Sequence, residues 1–227
     1  MSIIKQYYQL GIVKNNKIMF ITIEGIEGSG KSTNAKIVVD YLKNLGLNVL
    51  HTREPGGTVI AEKIRNILLE KNIEENITNQ AELLLLFASR SQHLENLIIP
   101  ALNSKKIVIC ERFTDASFAY QSGGRGIDSK YITVLENFVQ KDLRPDFVLL
   151  FDVDVNLGLS RIKTREYIDR IEQEKIDFFY RVKDLYLTRA SQNPEKYFII
   201  DANQNLIKVK QNIIQILDKL LNAKILF

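Results

Sequence analysis

Residues 25–33 read Gly25-Ile26-Glu27-Gly28-Ser29-Gly30-Lys31-Ser32-Thr33 and lie between an apolar run, IMFITIE (18–24), and a helical pattern near 32–45. A glycine-rich loop in that setting commits the chain to a strand, a tight turn and a helix, in that order. Each part has a physical use. The glycines let the backbone curl so that successive N–H groups face inward. The helix start adds partial positive charge. Lys31 brings a mobile cation, and the Ser32 hydroxyl suits a divalent metal. Together the nine residues read as a cradle for the phosphates of a nucleotide; the plainer alternative is a glycine-rich turn that carries a surface lysine.

Four further runs, LNVLHT (47–52), KIVICE (106–111), FVLLFDV (147–153) and YFIID (197–201), are short and rich in β-branched and aromatic residues. Several are apolar on both faces, the mark of buried strands. Helical patterns follow near 58–70, 79–103, 129–140, 155–164, 175–192 and 205–222. Strands alternating with helices predict an α/β fold, a parallel sheet with helices on both faces, in one domain over 18–227. In such sheets ligands sit beyond the carboxyl ends of the strands. Here those ends read GIEGSGKST, REPGGT, ERFTD, DVN and DAN.

The 227 residues, 45% hydrophobic and 26% charged, have the balance of an ordinary globular domain, which excludes collagen-like, disordered and disulfide-framework chains. A single cysteine, Cys110, cannot close an intramolecular disulfide and predicts a reducing compartment, the cytoplasm. His51 and His93 stand far apart, and no Cys/His cluster has zinc spacing. A net charge of +4 suits an anionic partner without choosing between nucleotide and nucleic acid. No apolar stretch approaches the roughly 20 residues that span a bilayer. Residues 1–17 lack the apolar core and cleavage site of a secretory signal and read as an arm of unknown role, with Met19 as an alternative start.

The loop leaves the class of ATP user open. A GTPase would need an N-K-x-D guanine reader, and the sequence has none. Ser122-Gly123-Gly124 lacks the following helix and Asp-Glu-ended strand of a transporter ATPase. A small-molecule kinase or an ATP-driven switch remains, the latter including a nucleic-acid-binding ATPase. Against the switch, basic residues gather at strand ends, without the aromatic interleaving that stacks bases. A nucleoside monophosphate attacks through a phosphate oxygen whose second pKa is about 6, so it needs no general base. It needs positioning and charge neutralisation, the work of arginines. Arg53, Arg90, Arg112, Arg161, Arg165 and Arg170 occupy strand ends and loops where that work is done. Taken singly, Arg53 and Arg112 read as surface arginines in salt bridges. Phe87 and Arg90, three apart, share a helical face where a ring can stack on a pyrimidine and a guanidinium can donate to its O4. By itself Phe87 reads as core packing.

From about Met19 to near its end the chain resembles the thymidylate kinase family. The carrying residues are GIEGSGKST, TREPGGT (52–58), LLFASRSQH (85–93), ERFTDASFAYQSGGRGID (111–128), RPD (144–146) and DRIEQEKIDFFYRV (169–182). The resemblance implies a five-stranded P-loop kinase fold, transfer of the ATP γ-phosphoryl group to dTMP with Mg²⁺, and a homodimer. It implies that Arg53 and Arg112 hold the dTMP phosphate, that Phe87, Arg90, Ser117 and Gln121 meet the base, that Tyr120 presses on the deoxyribose, and that Glu27 approaches the 3′-hydroxyl. Ser32 and Glu111 would hold the metal. The basic segment near 161–171 resembles the family's lid; with Gly28 where one branch carries an arginine, Arg165 and then Arg161 would join Lys31 and Arg112 in catalysis. One residue departs from the pattern. Glu111 stands where the family usually has Asp, and Glu-Arg is similar to deoxynucleoside kinases, where Glu acts as a base. That enzyme is the alternative.

Overall fold

The structure is a computed structural model that describes residues 19–71, 75–163 and 169–223. The proposed arm, Ile18 and Arg165 lie outside the described residues, as does part of the lid segment. The described chain runs β1 (Met19–Glu24), α1 (Lys31–Asn44), β2 (Val49–Arg53), α2 (Val59–Leu69), α3 (Asn79–His93), α4 (Ile99–Asn103), β3 (Ile107–Glu111), α5 (Thr114–Ser117), α6 (Ser129–Gln140), β4 (Phe147–Asp152), α7 (Val155–Lys163), α8 (Ile176–Gln192), β5 (Tyr197–Asp201) and α9 (Leu206–Ala223). The five strands form one sheet in the order β2-β3-β1-β4-β5. Every pairing is parallel.

β1 is paired on both sides and all six of its residues are buried, which explains why its sequence is apolar without alternation. Its odd residues, Met19, Ile21 and Ile23, pack in the core that includes Val38 and Leu42 of α1 and Ile213 and Leu217 of α9. Phe20 points the other way, against Leu94, Ile98, Val108 and Phe113. Helices therefore cover both faces, as the sequence predicts. No helix among the described residues is long and apolar enough to cross a membrane.

Three local features depart from the sequence reading. β2 ends at Arg53 rather than residue 52, which sets Arg53 beside Glu111 in register. The helix expected over 79–103 widens to a π turn at Leu94–Ile98, where the Ile99 N–H bonds the Leu94 carbonyl five residues back. Pro100 follows in the first turn of α4; it has no N–H to give and crowds the preceding turn, so the looser register relieves both. Finally, α5 and a second π turn, Phe118–Gly124, occupy a stretch read only as motif. A Cβ on Gly124 would lie 2.3 Å from the Phe178 ring, so the glycine lets α8 close against this turn.

Candidate active site

The carboxyl ends of β1, β2 and β3 open into a cavity of about 280 Å³. One wall is the glycine-rich loop. Lys31 heads α1 and donates to the Gly25 and Ile26 carbonyls at 3.0 and 2.6 Å. Burial and the Arg112 charge push its pKa down, to about 7. Gly28 has φ +71°, and a Cβ there would lie 2.0 Å from the Gly158 carbonyl oxygen of α7. A side chain at position 28 is thus excluded by backbone, and a loop arginine has no place. Arg161 of α7 instead reaches back to the Gly28 carbonyl at 3.2 Å and to the Ala202 carbonyl at 3.3 Å. Ser29, Gly30, Ser32 and Thr33 complete the turn and the helix start.

Ser32 Oγ donates to Glu111 Oε2 at 2.6 Å, and His51 Nε2 meets Glu111 Oε1 at 2.9 Å. Burial works against the Glu111 charge, but the hydrogen bonds from His51 and Ser32 outweigh it and lower the carboxyl pKa. Both Glu111 oxygens are thus engaged, one by the first turn of α1 and one by β2.

Arg112 is a non-glycine residue at φ +63°, a conformation that strains an L side chain by roughly 1–3 kcal/mol. Its N–H bonds the Ile23 carbonyl, and the next N–H, of Phe113, bonds Glu24 Oε1 at 2.7 Å. The turn swings the guanidinium back over β1, where it pairs with Glu27, approaches the Gly25 carbonyl and lies 5.0 Å above the Tyr120 ring. The Tyr120 hydroxyl donates to the other Glu27 oxygen. Burial opposes the Glu27 charge, but Arg112, Lys31 and Tyr120 together lower its pKa. Glu24, fully buried behind them, is raised to about 8 by burial and the Asp115 charge. Arg53 lines the mouth with its guanidinium on Glu62 at 3.0 Å, and Arg65 stands in the same wall.

The far end is built from buried side chains. Arg90 is 2% exposed; its Nε donates to Glu54 at 2.8 Å and its Nη2 to the Phe113 carbonyl and Ser117 Oγ at 3.0 and 2.9 Å. Glu54 is held in turn by His93 Nδ1 at 3.0 Å, and His93 Nε2 meets Thr52 Oγ1 at 2.7 Å. Arg90 Nη1 is buried with no partner. Nearby, Gln121 Nε2 donates to Glu82 Oε1 at 2.9 Å, which leaves Gln121 Oε1 buried and unpartnered as well. An unused donor and an unused acceptor on one cavity wall are the unmet halves of a hydrogen-bond pattern.

Most sequence-nominated residues thus converge on the cavity; Arg161 meets the loop at the Gly28 carbonyl without lining the cavity, and two others do not take their expected places. Phe87 does not line the cavity; its ring lies under the Arg90 guanidinium at 4.6 Å and packs with Leu83, Phe118 and Ile132. The expected base-stacking face is turned into the core, and Leu86 lines the cavity instead. Arg165 lies outside the described residues. The sequence reading missed Glu54, Arg65, Glu82, His93 and Arg125, all charged or polar residues whose roles depend on partners 10 to 88 positions away in the chain.

The described residues hold no cluster of three or more His, Cys, Asp or Glu side chains able to hold a metal. The Ser32–Glu111 pair does present hard oxygens at the loop. That suits Mg²⁺, which takes one or two protein oxygens and draws the rest from phosphates and water.

The family model described as thymidylate kinase matches residues 23–213. A thymidylate kinase of Ectopseudomonas mendocina is 49% identical over 205 residues, covering 90% of this chain and 97% of the relative. That of Neisseria meningitidis serogroup B is 48% identical over 202 residues, covering 89% and 97%. The crystal structure of thymidylate kinase from Ehrlichia chaffeensis superposes with a TM-score of 0.70 at 36% identity, covering 88% of this chain and 98% of that one. Identity at this level, over nearly the whole length and in the same fold, means that the chain belongs to the thymidylate kinase family.

Proposed function

We infer that the chain transfers the γ-phosphoryl group of ATP to dTMP, giving dTDP, with the glycine-rich loop as donor side and the buried wall as acceptor side. The observation that carries the acceptor assignment is the pair of unpartnered atoms. Arg90 Nη1 is a donor and Gln121 Oε1 an acceptor, the complement of thymine O4 and N3–H. Ser117 steadies Arg90 at this edge. Phe87 serves the base at one remove, as the surface on which Arg90 rests.

The attacking group is a dTMP phosphate oxygen, already deprotonated at neutral pH. Arg53 and Arg112 would hold that phosphate, with Arg65 adding charge to the same wall. Tyr120 and Glu27 together would face the deoxyribose and its 3′-hydroxyl. Lys31 would follow the β- and γ-phosphates, and Arg161, anchored on the Gly28 carbonyl, would add charge where the γ-phosphoryl group leaves; Arg165 is the second lid candidate. Ser32 and Glu111 would hold Mg²⁺, whose contribution when bound is to neutralise phosphate charge. Glu111, engaged by Ser32 and His51, supports this role rather than that of a base for a sugar hydroxyl. Catalysis is then positioning and electrostatics.

Helices α2, α3 and α6 leave Val59, Ile60, Ile67, Leu84, Tyr131, Val134 and Phe138 exposed, and this apolar layer is the proposed homodimer surface. The buried, free Cys110 supports a cytoplasmic setting. An ADP-release assay over dTMP, dUMP, UMP, dCMP and thymidine tests the reading. dTMP leads, and thymidine, which lacks the anionic nucleophile, does not react. Efficient thymidine phosphorylation would make Glu111 a base and the protein a nucleoside kinase.

A further inference from the structure

Glu82, an acidic side chain beside the cavity, accepts four hydrogen bonds, and the reaction as derived above gives it no part. It sits in the first turn of α3, 2% exposed. Oε1 accepts from Gln121 Nε2 at 2.9 Å and from Arg125 Nε at 3.1 Å; Oε2 accepts from Arg125 Nη2 at 3.2 Å and from Arg170 Nη2. The four donors use up the roughly four lone-pair positions that a carboxylate offers. Burial opposes the charge, but Arg125, Gln121 and Arg170 more than offset it and keep the carboxyl ionised.

That arrangement has a consequence for Gln121. A side-chain amide carries a donor and an acceptor of nearly equal size, and nothing in its own shape decides which one faces a ligand. An ionised carboxylate accepts only. It takes the NH₂ end of Gln121, so the carbonyl end is the one left over for the cavity. We propose that Glu82 is a positioning residue for base selection: by fixing the polarity of the Gln121 amide, it makes the pocket accept a pyrimidine N3–H and reject an unprotonated N3. Thymine and uracil carry the first and cytosine the second. This rests on the reading of Gln121 and Arg90 as the base contacts.

Glu82→Gln is nearly isosteric and tests it. The new carboxamide has one oxygen; two guanidinium N–H groups, of Arg125 and Arg170, claim it on the former Oε2 side against one, Arg125 Nε, on the Oε1 side, so it settles on the Oε2 side. Its NH₂ then faces Gln121, whose amide turns over and presents NH₂ to the cavity. dTMP loses its N3 contact while dCMP gains one. Arg90 still opposes the cytosine amino group, so dCMP stays the poorer substrate. The expected result is that kcat/KM falls for dTMP and rises for dCMP, narrowing their ratio by about 10- to 100-fold. A purely structural role would lower both together and leave the ratio alone. Gln121→Leu is run alongside, with the double variant. If Glu82 acts through Gln121, Gln121→Leu narrows the ratio too, and adding Glu82→Gln narrows it no further.

Should Glu82→Gln fail to fold, Glu82→Asp keeps the charge for both arginines and withdraws the carboxylate from Gln121. A narrowed ratio in that variant supports the proposal. An unchanged ratio in the Glu82 variants, with a narrowed one in Gln121→Leu, overturns it and leaves the base reading standing. An unchanged ratio in Gln121→Leu overturns the base reading itself, and the role of Glu82 with it.

Discussion

The two ends of the cavity are built on different plans. At the proposed phosphate end the work would fall to main-chain groups in one unbroken run, Gly25 to Thr33, with Lys31 and Ser32 on the first turn of α1. At the proposed base end it would fall to side chains from α3, α5, the residue that follows β2 and the π turn at Phe118–Gly124, each aimed by another buried side chain: Arg90 by Glu54 and Ser117, Glu54 by His93, Gln121 by Glu82. Main-chain donors in a tight loop are positioned by the loop's own dihedrals. Side-chain donors have free torsions and need neighbours to hold them. Polyphosphate, which looks alike in every nucleotide, suits the first plan; a base that must be told from its relatives suits the second.

The largest expected effect lies at the base end. dCMP sets an amino group against Arg90 and a bare N3 against Gln121 Oε1, mismatches that hydrogen-bonding sites reject by about 10⁴–10⁵ in kcat/KM. dUMP differs from dTMP by one methyl and should trail it by only about 10–200-fold. Steady-state assays of the three acceptors check both figures, and a dCMP rate close to that of dUMP would break the contrast between the two plans.

Next is the phosphate end. Lys31→Ala should lower kcat by roughly 10²–10³ while dTMP binding by calorimetry is kept, since the lysine serves charge that develops during transfer. Near-normal turnover would remove the loop from the chemistry.

A smaller effect concerns pH. The Glu24 carboxyl, raised from an ordinary 4.5 to about 8, stays protonated in the fold across a range where the unfolded chain ionises. Its stabilising contribution is complete below about pH 4.5 and is lost as pH rises through 8. Glu24→Gln, which cannot ionise, should therefore gain in Tm relative to the parent between pH 6 and pH 9; a Tm difference independent of pH would mean that Glu24 is ionised throughout.

The smallest effect is expected at Phe87. With its ring packed beneath Arg90, Phe87→Leu should lower Tm yet change the dTMP-to-dUMP ratio by no more than about twofold. A large selectivity change would put the ring back on the base.

Phe87 also shows how far the sequence was legible. Its spacing from Arg90 placed both on one helical face, which holds, but a face about 100° wide includes both the cavity wall and the core beneath it. Periodicity cannot separate the two, and the structure assigns the wall to Leu86. Glu82 left no mark, and His93 only the end of a motif with no role, because a buried polar residue in a helix looks like any other until its partner is known. The π turn at Phe118–Gly124 was hidden by its glycines, Gly123 and Gly124, which read as an open turn and in fact make room for α8.

The sequence by itself determined the order of strands and helices, the parallel sheet, the phosphate loop and the edge where chemistry gathers, because each depends on residues adjacent in the chain or repeating at a fixed period. Only the tertiary structure decided which atom of Arg90 is left unpaired, which end of Gln121 faces the cavity, and why position 28 admits nothing but glycine. Those depend on contacts between residues far apart in sequence, such as Gln121 with Glu82 and Gly28 with Gly158. A hydrogen bond or a steric limit of that kind exists only once the fold has brought the two partners together.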